Sequence, residues 1–190
     1  MILYHGSNTA NIQVLEPRQA DHDRPYIYLS TSEVVAAFYL CNRVERPYYW
    51  FPYGFDKETG VPVYHELYPN ALKEVSDGVS GYIYIVDTDE NSVLPFKNIP
   101  VARLGVRPMA VKAVIKVDNA YDLFMDYVAH GKMKIAHYED KTEKQLVNWY
   151  NMVLSYIREK KMINTPDCSY ARFVQEKFPQ VWRQYKKENN

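Results

Sequence analysis

The hydrophobic pattern of this chain changes its period near residue 119, and this change limits the fold more than any other feature. Before it, apolar and aromatic residues form short alternating runs such as 81–86 and 110–117, which are typical of strands. From Asn119 onward, apolar residues recur at helical spacing on one face, Thr142–Gln145 indicates a capping box at the start of a helix, and Pro179 interrupts the last helical run. The sequence therefore predicts an α+β protein with a β-rich N-terminal part and a helical C-terminal third.

The length of 190 residues favours one domain. We expect a β-rich core over residues 1–118 that contains an irregular aromatic insertion over residues 42–80, within which the sequence allows a short helix over Asn70–Val75. A helical extension over residues 119–190 is expected to pack on this core, so that the chain forms a single domain overall. A chain of this size buries enough surface to fold without disulfides or a metal.

Charge and cysteine content argue against several classes of protein. Lys+Arg and Asp+Glu number 23 each, so the formal charge is zero, which argues against a dedicated nucleic-acid binder. A local basic patch from Arg103, Arg107 and Lys112 is compatible with this zero net charge. Cys41 and Cys168 form no metal-binding motif and are expected to be reduced. The chain shows no leader-like start and no apolar run of membrane-spanning length, which predicts a cytoplasmic protein with no membrane partner.

The first candidate site follows the first predicted strand. Residues 2–5 form a strand-like run that ends at Gly6 and Ser7, a turn signal. Gly6 lets a ligand approach the backbone closely, and His5 offers a ring nitrogen to a hydroxyl group. A histidine at a strand end is more often structural, so both interpretations stay open at this point.

A second predicted strand and the helix after it supply two tyrosines. Tyr28 lies in the strand-like run 26–30, and Tyr39 follows 11 residues later on a helix that Thr31 or Ser32 caps. The two rings can stack on both faces of a flat heteroaromatic group, and the small alanines before Tyr39 leave room for a carboxamide. Simple packing of these aromatics between sheet and helix is the alternative.

Together these segments resemble a known family. Leu3–Ser7, followed some twenty residues later by Ile27–Thr31 and an alanine-containing helix, is similar to ADP-ribosyltransferases of the His-Tyr type. That group includes diphtheria-type toxins, poly(ADP-ribose) polymerases and rifampin ADP-ribosyltransferases. The small bacterial rifampin-type enzymes look most similar, and they also have a strand like 81–86. The resemblance covers residues 1–40 well and 81–117 loosely, and it implies a split β-sheet core.

The resemblance also implies that the chain binds NAD⁺ as a co-substrate. His5 would bind the adenosine ribose, the backbone of Gly6 would hold the nicotinamide carboxamide, and the two tyrosines would stack on the nicotinamide ring. Either Ser30 or Ser32 would assist with the carboxamide. The implied cofactor-binding residues are His5, Gly6, Ser7, Tyr28, Ser30, Ser32 and Tyr39.

The catalytic acid of this family is where the sequence departs from the pattern. Such an acid stabilises the oxocarbenium-like ribose as nicotinamide leaves. The corresponding stretch, 98–108, contains no Asp or Glu. The sequence offers Glu66 and Asp87 as catalytic replacements, with Asp89 and Glu90 as further candidates. Glu66 lies between aromatic residues, where a carboxylate is costly unless paired or bound to a ligand, whereas a solvated loop is the alternative for the acidic run.

The aromatic stretch 47–68 allows two interpretations. It forms a wall that receives the acceptor substrate, or it packs under the C-terminal helices. His65 within it is an acid, a base or a surface residue. It has no metal-binding spacing to another histidine, so no metal site is expected.

The predicted function is an NAD-dependent ADP-ribosyltransferase or NAD glycohydrolase that cleaves the nicotinamide–ribose bond. Its acceptor would be a protein, a nucleic acid, a small molecule or water. The alternative is a binding module for NAD or ADP-ribose that lacks the usual catalytic Glu. A third hypothesis is a scaffold whose C-terminal helices dock a protein partner. Because the acid is missing from residues 98–108, binding is favoured over catalysis.

Overall fold

The computed structural model describes residues 1–19, 23–43, 52–96 and 99–189, with the backbone alone for residues 42 and 43. Within these ranges the strands are β1 (Ile2–Ser7), β2 (Val14–Leu15), β3 (Ile27–Ser30), β4 (Tyr53–Phe55), β5 (Pro62–His65), β6 (Gly81–Asp87), β7 (Val93–Pro95), β8 (Ala102–Gly105), β9 (Met109–Ala110), β10 (Ala113–Val117) and β11 (Lys134–Ala136). The helices are α1 (Glu33–Phe38), α2 (Ala71–Ser76), α3 (Ala120–Ala129), α4 (Glu143–Glu159), α5 (Ser169–Lys177) and α6 (Pro179–Glu188). The protein is α+β, as the change of hydrophobic period predicts.

The main sheet is antiparallel and has the strand order β10-β6-β1-β3-β8-β7. β1 pairs with β6 along its whole length. β1 pairs with β3 only where Tyr4 lies opposite Ser30. β3 in turn pairs along its whole length with β8. The sheet therefore divides into two halves beyond the Tyr4–Ser30 pair, and the gap opens at His5.

Successive residues of β1 serve two hydrophobic clusters, as strand alternation requires. Leu3 is fully buried in the smaller cluster, together with Leu29 of β3 and Val86 of β6. Tyr4 packs against the larger cluster, which extends from α1 to α6 and includes Phe38 among its buried residues. The C-terminal helices therefore share one continuous core with α1 and α2.

Residues 42–80 contain more regular structure than the irregular insertion predicted from the sequence. Their described part contributes β4, β5 and α2. β5 pairs with β4 and, in parallel, with β11 from the C-terminal third. Because β11 is far away in sequence, no local pattern could indicate this partner.

The described part of the aromatic stretch packs into the core. Tyr64 is fully buried, Tyr53 contacts Phe38 with ring centroids 5.1 Å apart, and Tyr68 meets Phe178 of the C-terminal region edge-on. Residues 47–51, the densest part of the predicted acceptor wall, lie outside the described residues. For the described aromatics of this stretch, packing accounts for their presence.

Local signals place the helix ends where the sequence predicts them. The hydroxyl of Ser32 accepts a hydrogen bond from the backbone of Val35 at the start of α1. Thr142 and Gln145 form the expected capping box at the start of α4. Pro179 separates α5 from α6 and opens the latter. None of the helices in the described ranges has the length and apolar character needed to cross a membrane.

Candidate functional site

A cavity of about 400 Å³ lies where β1 and β3 part. Its walls come from both strands, from α1 and from the segment that leads into β8. Of the residues that the resemblance implies for NAD⁺, the cavity brings together His5, Gly6, Tyr28, Ser30 and Tyr39. Ser7 and Ser32 are not among its lining residues. We call this cavity the cleft.

His5 bridges the gap between the two strands. Its Nδ1 lies 2.8 Å from the carbonyl oxygen of Tyr28, which can only accept, so Nδ1 carries the hydrogen. Burial is the main cause that lowers the pKa of His5, and Arg18 lowers it further. The imidazole is therefore neutral near pH 7, and Nε2 is left as a hydrogen-bond acceptor. Such an atom suits a hydroxyl group.

Gly6 has a structural role that the sequence argument did not identify. A Cβ at this position would lie 2.0 Å from the carbonyl oxygen of Ala36. β1 and α1 therefore approach so closely that only glycine fits, whether or not a ligand is bound. The sequence predicts a close ligand at this position, whereas in the structure the near neighbour is the backbone of α1.

The two tyrosines border the same cleft from different elements. Tyr28 is half-buried on β3, and its neighbour across the sheet is Leu104 of β8. Tyr39 begins a 3₁₀ segment directly after α1 and is 39% exposed. Burial raises the pKa of Tyr39, so the side chain is a neutral phenol at physiological pH. Both rings are placed at the cavity that Gly6 borders.

Ser30 is a buried residue that lines the cleft. It is 3% exposed, and its Oγ accepts a hydrogen bond from the backbone of Ser32 at 2.9 Å. The hydroxyl hydrogen of Ser30 is thus left as a donor. Ser32 is used as the cap of α1 instead.

Glu66, one of the two predicted catalytic acids, does not line the cleft. It is 5% exposed, and both carboxylate oxygens have partners. One accepts a hydrogen bond from the backbone of Leu72 at 3.2 Å, at the start of α2, and the other lies 3.0 Å from Nδ1 of His137. These partners account for the burial of the carboxylate without a ligand.

Asp87, the other predicted acid, lies far from Gly6 along the same strand pair. Its register partner is Ile2, at the opposite end of β1. It is exposed and forms ion pairs with Lys112 at 2.6 Å and with the N-terminal amine at 3.5 Å. The Lys112 ammonium is the main cause that lowers the pKa of Asp87. Among the further candidates, Asp89 caps a short 3₁₀ turn.

The stretch in which the sequence lacks an acid does border the cleft. Ala102, Arg103 and Leu104 of β8 line it, with Phe96 and Ile99 just before them. Across the described residues, no Asp or Glu side chain belongs to the lining. Arg103 is half-buried, and its guanidinium donates to the carbonyl oxygens of Pro100 at 2.7 Å and Ala102 at 2.9 Å. From the sequence, Arg103 is expected only in a basic patch, and no local signal indicates that β8 lines the cleft.

A second cavity of about 230 Å³ lies beside the cleft, and His5 and Tyr28 border both. Its other walls come from β2 and the segment after it, and include the charged residues Glu16 and Arg18. Arg18 is exposed. The neutral His5 therefore lies between the cleft and a smaller cavity that Glu16 and Arg18 border.

A possible metal-ligating group lies elsewhere in the molecule. The ligand atoms of Glu66, His137 and Glu139 fall within 4.8 Å of one another. Sequence spacing could not indicate it, because His137 is far from Glu66 along the chain. One Glu66 oxygen already accepts a hydrogen bond from the Leu72 amide. The amine of Lys141, whose pKa is lowered by burial and raised by the Glu66 carboxylate, lies nearby. Both features disfavour a cation here.

Comparison of the chain with family models, with curated proteins and with solved structures finds no match.

Proposed function

We propose that this protein binds nicotinamide adenine dinucleotide across the split between β1 and β3 and works as a binding module. The observation that carries the proposal is the His5 bridge. The strands part after one pair, and the gap holds a neutral imidazole at a cavity that Tyr28 and Tyr39 also line.

The two adjoining cavities suit the two halves of a dinucleotide. The cleft has the volume of a small-ligand site, and its apolar and aromatic lining suits a flat ring. Ser30 and the strand edge at Gly6 offer polar groups to a carboxamide. Beyond His5, the smaller cavity offers Arg18 to phosphate oxygens.

Binding without transfer is the form of the proposal that the lining supports. Cleavage of the nicotinamide–ribose bond develops positive charge on the ribose, and a nearby carboxylate stabilises it. The described lining of the cleft has no carboxylate and contains Arg103, and the carboxylate at the smaller cavity belongs to the exposed Glu16. ADP-ribosyl transfer or NAD⁺ hydrolysis, with an acceptor still to be identified, is the second candidate. The same His5, Tyr28 and Tyr39 set favours it.

Titration calorimetry with NAD⁺ and ADP-ribose tests the proposal, together with an assay for nicotinamide release. We expect saturable binding, about tenfold weaker in His5→Ala and in Tyr28→Ala, and no release of nicotinamide. His130→Ala is the matched control, because His130 is an exposed histidine outside the cleft. Absence of binding by either compound to the folded protein would refute the proposal. Nicotinamide release that depends on His5 would instead favour the second candidate, ADP-ribosyl transfer or NAD⁺ hydrolysis.

A further inference from the structure

The chain divides its charge unevenly along its length. Residues 141–190 contain ten Lys and Arg against five Asp and Glu, whereas the whole chain is balanced at 23 of each. The residues before 141 are therefore acidic overall. A zero net charge thus conceals a basic C-terminal segment, and such an asymmetry is a sign of an anionic partner.

Two hydrogen bonds tie the end of α4 to the end of α6. Nε of Arg158, in the last turn of α4, donates to the carboxylate of Glu188, the last residue of α6, at 2.8 Å. The backbone amide of Ile163 donates to the hydroxyl of Tyr185, one turn earlier in α6, at 3.1 Å. The segment between these bonds, residues 159–162, is therefore held beside the last turn of α6.

Basic side chains gather at these joined helix ends, and all of them are exposed. We call the following set the basic end: Arg158, Lys160, Lys161, Arg183, Lys186 and Lys187. Glu188 pairs with Arg158. Glu159 pairs with Lys160 at 3.4 Å. Across the described residues, the other four members have no carboxylate at ion-pair distance, so the basic end keeps an excess of positive charge.

The helix dipoles account for only part of this charge. A cation in the last turn of a helix offsets the partial negative charge there. Arg158 in α4, and Lys186 and Lys187 in α6, occupy such last turns. Lys161 lies beyond the end of α4, and Arg183 lies in the middle of α6. Arg183 also shares a face of α6 with Lys187, four residues later, where two like charges repel.

The basic end carries charge without an apolar component. The large hydrophobic side chains that are exposed among the described residues lie elsewhere, and the one on α4, Val147, is near the other end of that helix. A membrane-bound helix or the core of a protein interface combines basic residues with exposed apolar ones. The nearby ring of Tyr156 is already stacked on Tyr170 at 4.8 Å and covered by the Lys160 ammonium at 5.6 Å. The surface therefore suits a partner recognised by its charge alone.

We propose that the basic end binds the phosphate backbone of a nucleic acid, independently of base sequence. The backbone is a regular array of negative charges, and each cation that contacts a phosphate releases a bound counterion. Four cations without acidic partners predict about three phosphate contacts, and hence weak, non-specific binding with a dissociation constant on the order of 10 μM. The basic end shares no residue with the cleft lining, so this inference does not depend on the dinucleotide.

Fluorescence anisotropy of labelled duplexes tests this inference on the full chain. Duplex DNA and duplex RNA of about 20 base pairs are titrated in parallel, and the logarithm of the affinity should fall against the logarithm of the salt concentration with a slope of about −3. The double substitution Lys161→Gln with Lys187→Gln should weaken binding about tenfold at low salt and reduce the slope by about two. Lys57→Gln with Lys144→Gln is the matched control, because it removes an equal charge from exposed positions outside the basic end.

A substitution that strengthens binding guards against loss of folding as an explanation. Glu188→Gln removes the carboxylate that neutralises Arg158, so we expect about threefold tighter binding to the duplex. Thermal unfolding of each variant confirms that it is folded.

Three outcomes overturn the inference. The first is the absence of salt-dependent binding to either duplex at about 50 mM salt. The second is equal weakening by the two double substitutions, because net charge and not the basic end would then act. The third is tighter binding to phosphatidylserine vesicles than to both duplexes, which would assign the surface to a membrane. Binding to either duplex that the basic-end variants weaken and the control variant keeps supports the inference, and the tighter duplex identifies the nucleic acid.

Discussion

The cleft and the start of α2 both bury polar side chains, yet they differ in how completely the protein satisfies them. At α2, the carboxylate of Glu66 has a partner on each oxygen, one from the backbone of Leu72 and one from His137. At the cleft, His5 uses Nδ1 on the Tyr28 carbonyl and keeps Nε2 as an acceptor. A buried polar group whose partners are complete stabilises the fold, whereas one with remaining capacity is suited to a ligand.

This comparison also explains why the buried carboxylate of Glu66 needs no ligand. Glu66 stood out in sequence because a charge among aromatics is costly. The cost is offset locally by hydrogen bonds that start α2. His5 instead lies where the sheet divides, and only one of its ring nitrogens is bonded to the described part of the protein.

The largest effect is expected from a substitution that blocks the strand–helix contact beside the cleft. In Gly6→Ala the new Cβ meets the backbone oxygen of Ala36 at 2.0 Å, and backbone cannot move aside as a side chain can. We expect a loss of about 3 kcal/mol in the free energy of unfolding, measured by urea denaturation. Gly54→Ala is the control, because its nearest neighbour would be 3.4 Å away. A Gly6→Ala variant as stable as Gly54→Ala would contradict the close β1–α1 packing.

Removing the Glu66 carboxylate should separate stability from binding. Glu66→Leu leaves the Leu72 amide buried without its acceptor, and we expect a loss of about 2 kcal/mol in the free energy of unfolding. Glu66→Gln keeps an acceptor oxygen and should lose less. Dinucleotide affinity, measured by calorimetry, should change in neither variant. A selective loss of affinity would place Glu66 in the site after all.

For His5 we expect the opposite result, a large loss of affinity with a small loss of stability. His5→Ala removes one hydrogen bond to the Tyr28 carbonyl, so the free energy of unfolding should fall by only about 1 kcal/mol. Affinity for the dinucleotide should fall by about tenfold, because the acceptor at the gap is lost. Denaturation and titration of the same preparation give both values. A large loss of stability with unchanged affinity would make His5 a structural residue and remove the contrast with Glu66.

The smallest effect is a dependence of stability on pH. Burial lowers the pKa of His5 below its ordinary value of 6.5, so the unfolded chain takes up a proton before the folded one does. The contribution of His5 is fully present above pH 6.5 and is lost as the pH falls toward the lowered pKa of the folded state. His65 acts in the same direction, also through burial. The difference in unfolding free energy between wild type and His5→Gln, followed from pH 7.5 to 5.5, isolates His5, and an unchanged difference would contradict its neutral burial.

Local signals predicted a large part of the secondary structure and part of the candidate site. The run 81–86 became β6, and the caps at Ser32 and Thr142 start helices as expected. His5, Tyr28 and Tyr39 do meet at one cavity. The short strands β4, β5 and β8 were missed, because a strand of three or four residues carries almost no periodic signal of its own.

By itself, the sequence determined the α+β class and the starts of several helices, because periodicity and capping act over a few residues. Only the tertiary structure decided how the candidate site residues are used. It shows that β1 and β3 part after a single pair, that Gly6 is reserved for the backbone of α1, and that Glu66 is satisfied at α2. It also places Arg103 at the cleft where the resemblance leads one to look for an acid. Such outcomes depend on contacts between residues distant in sequence, whose pairing no local pattern encodes.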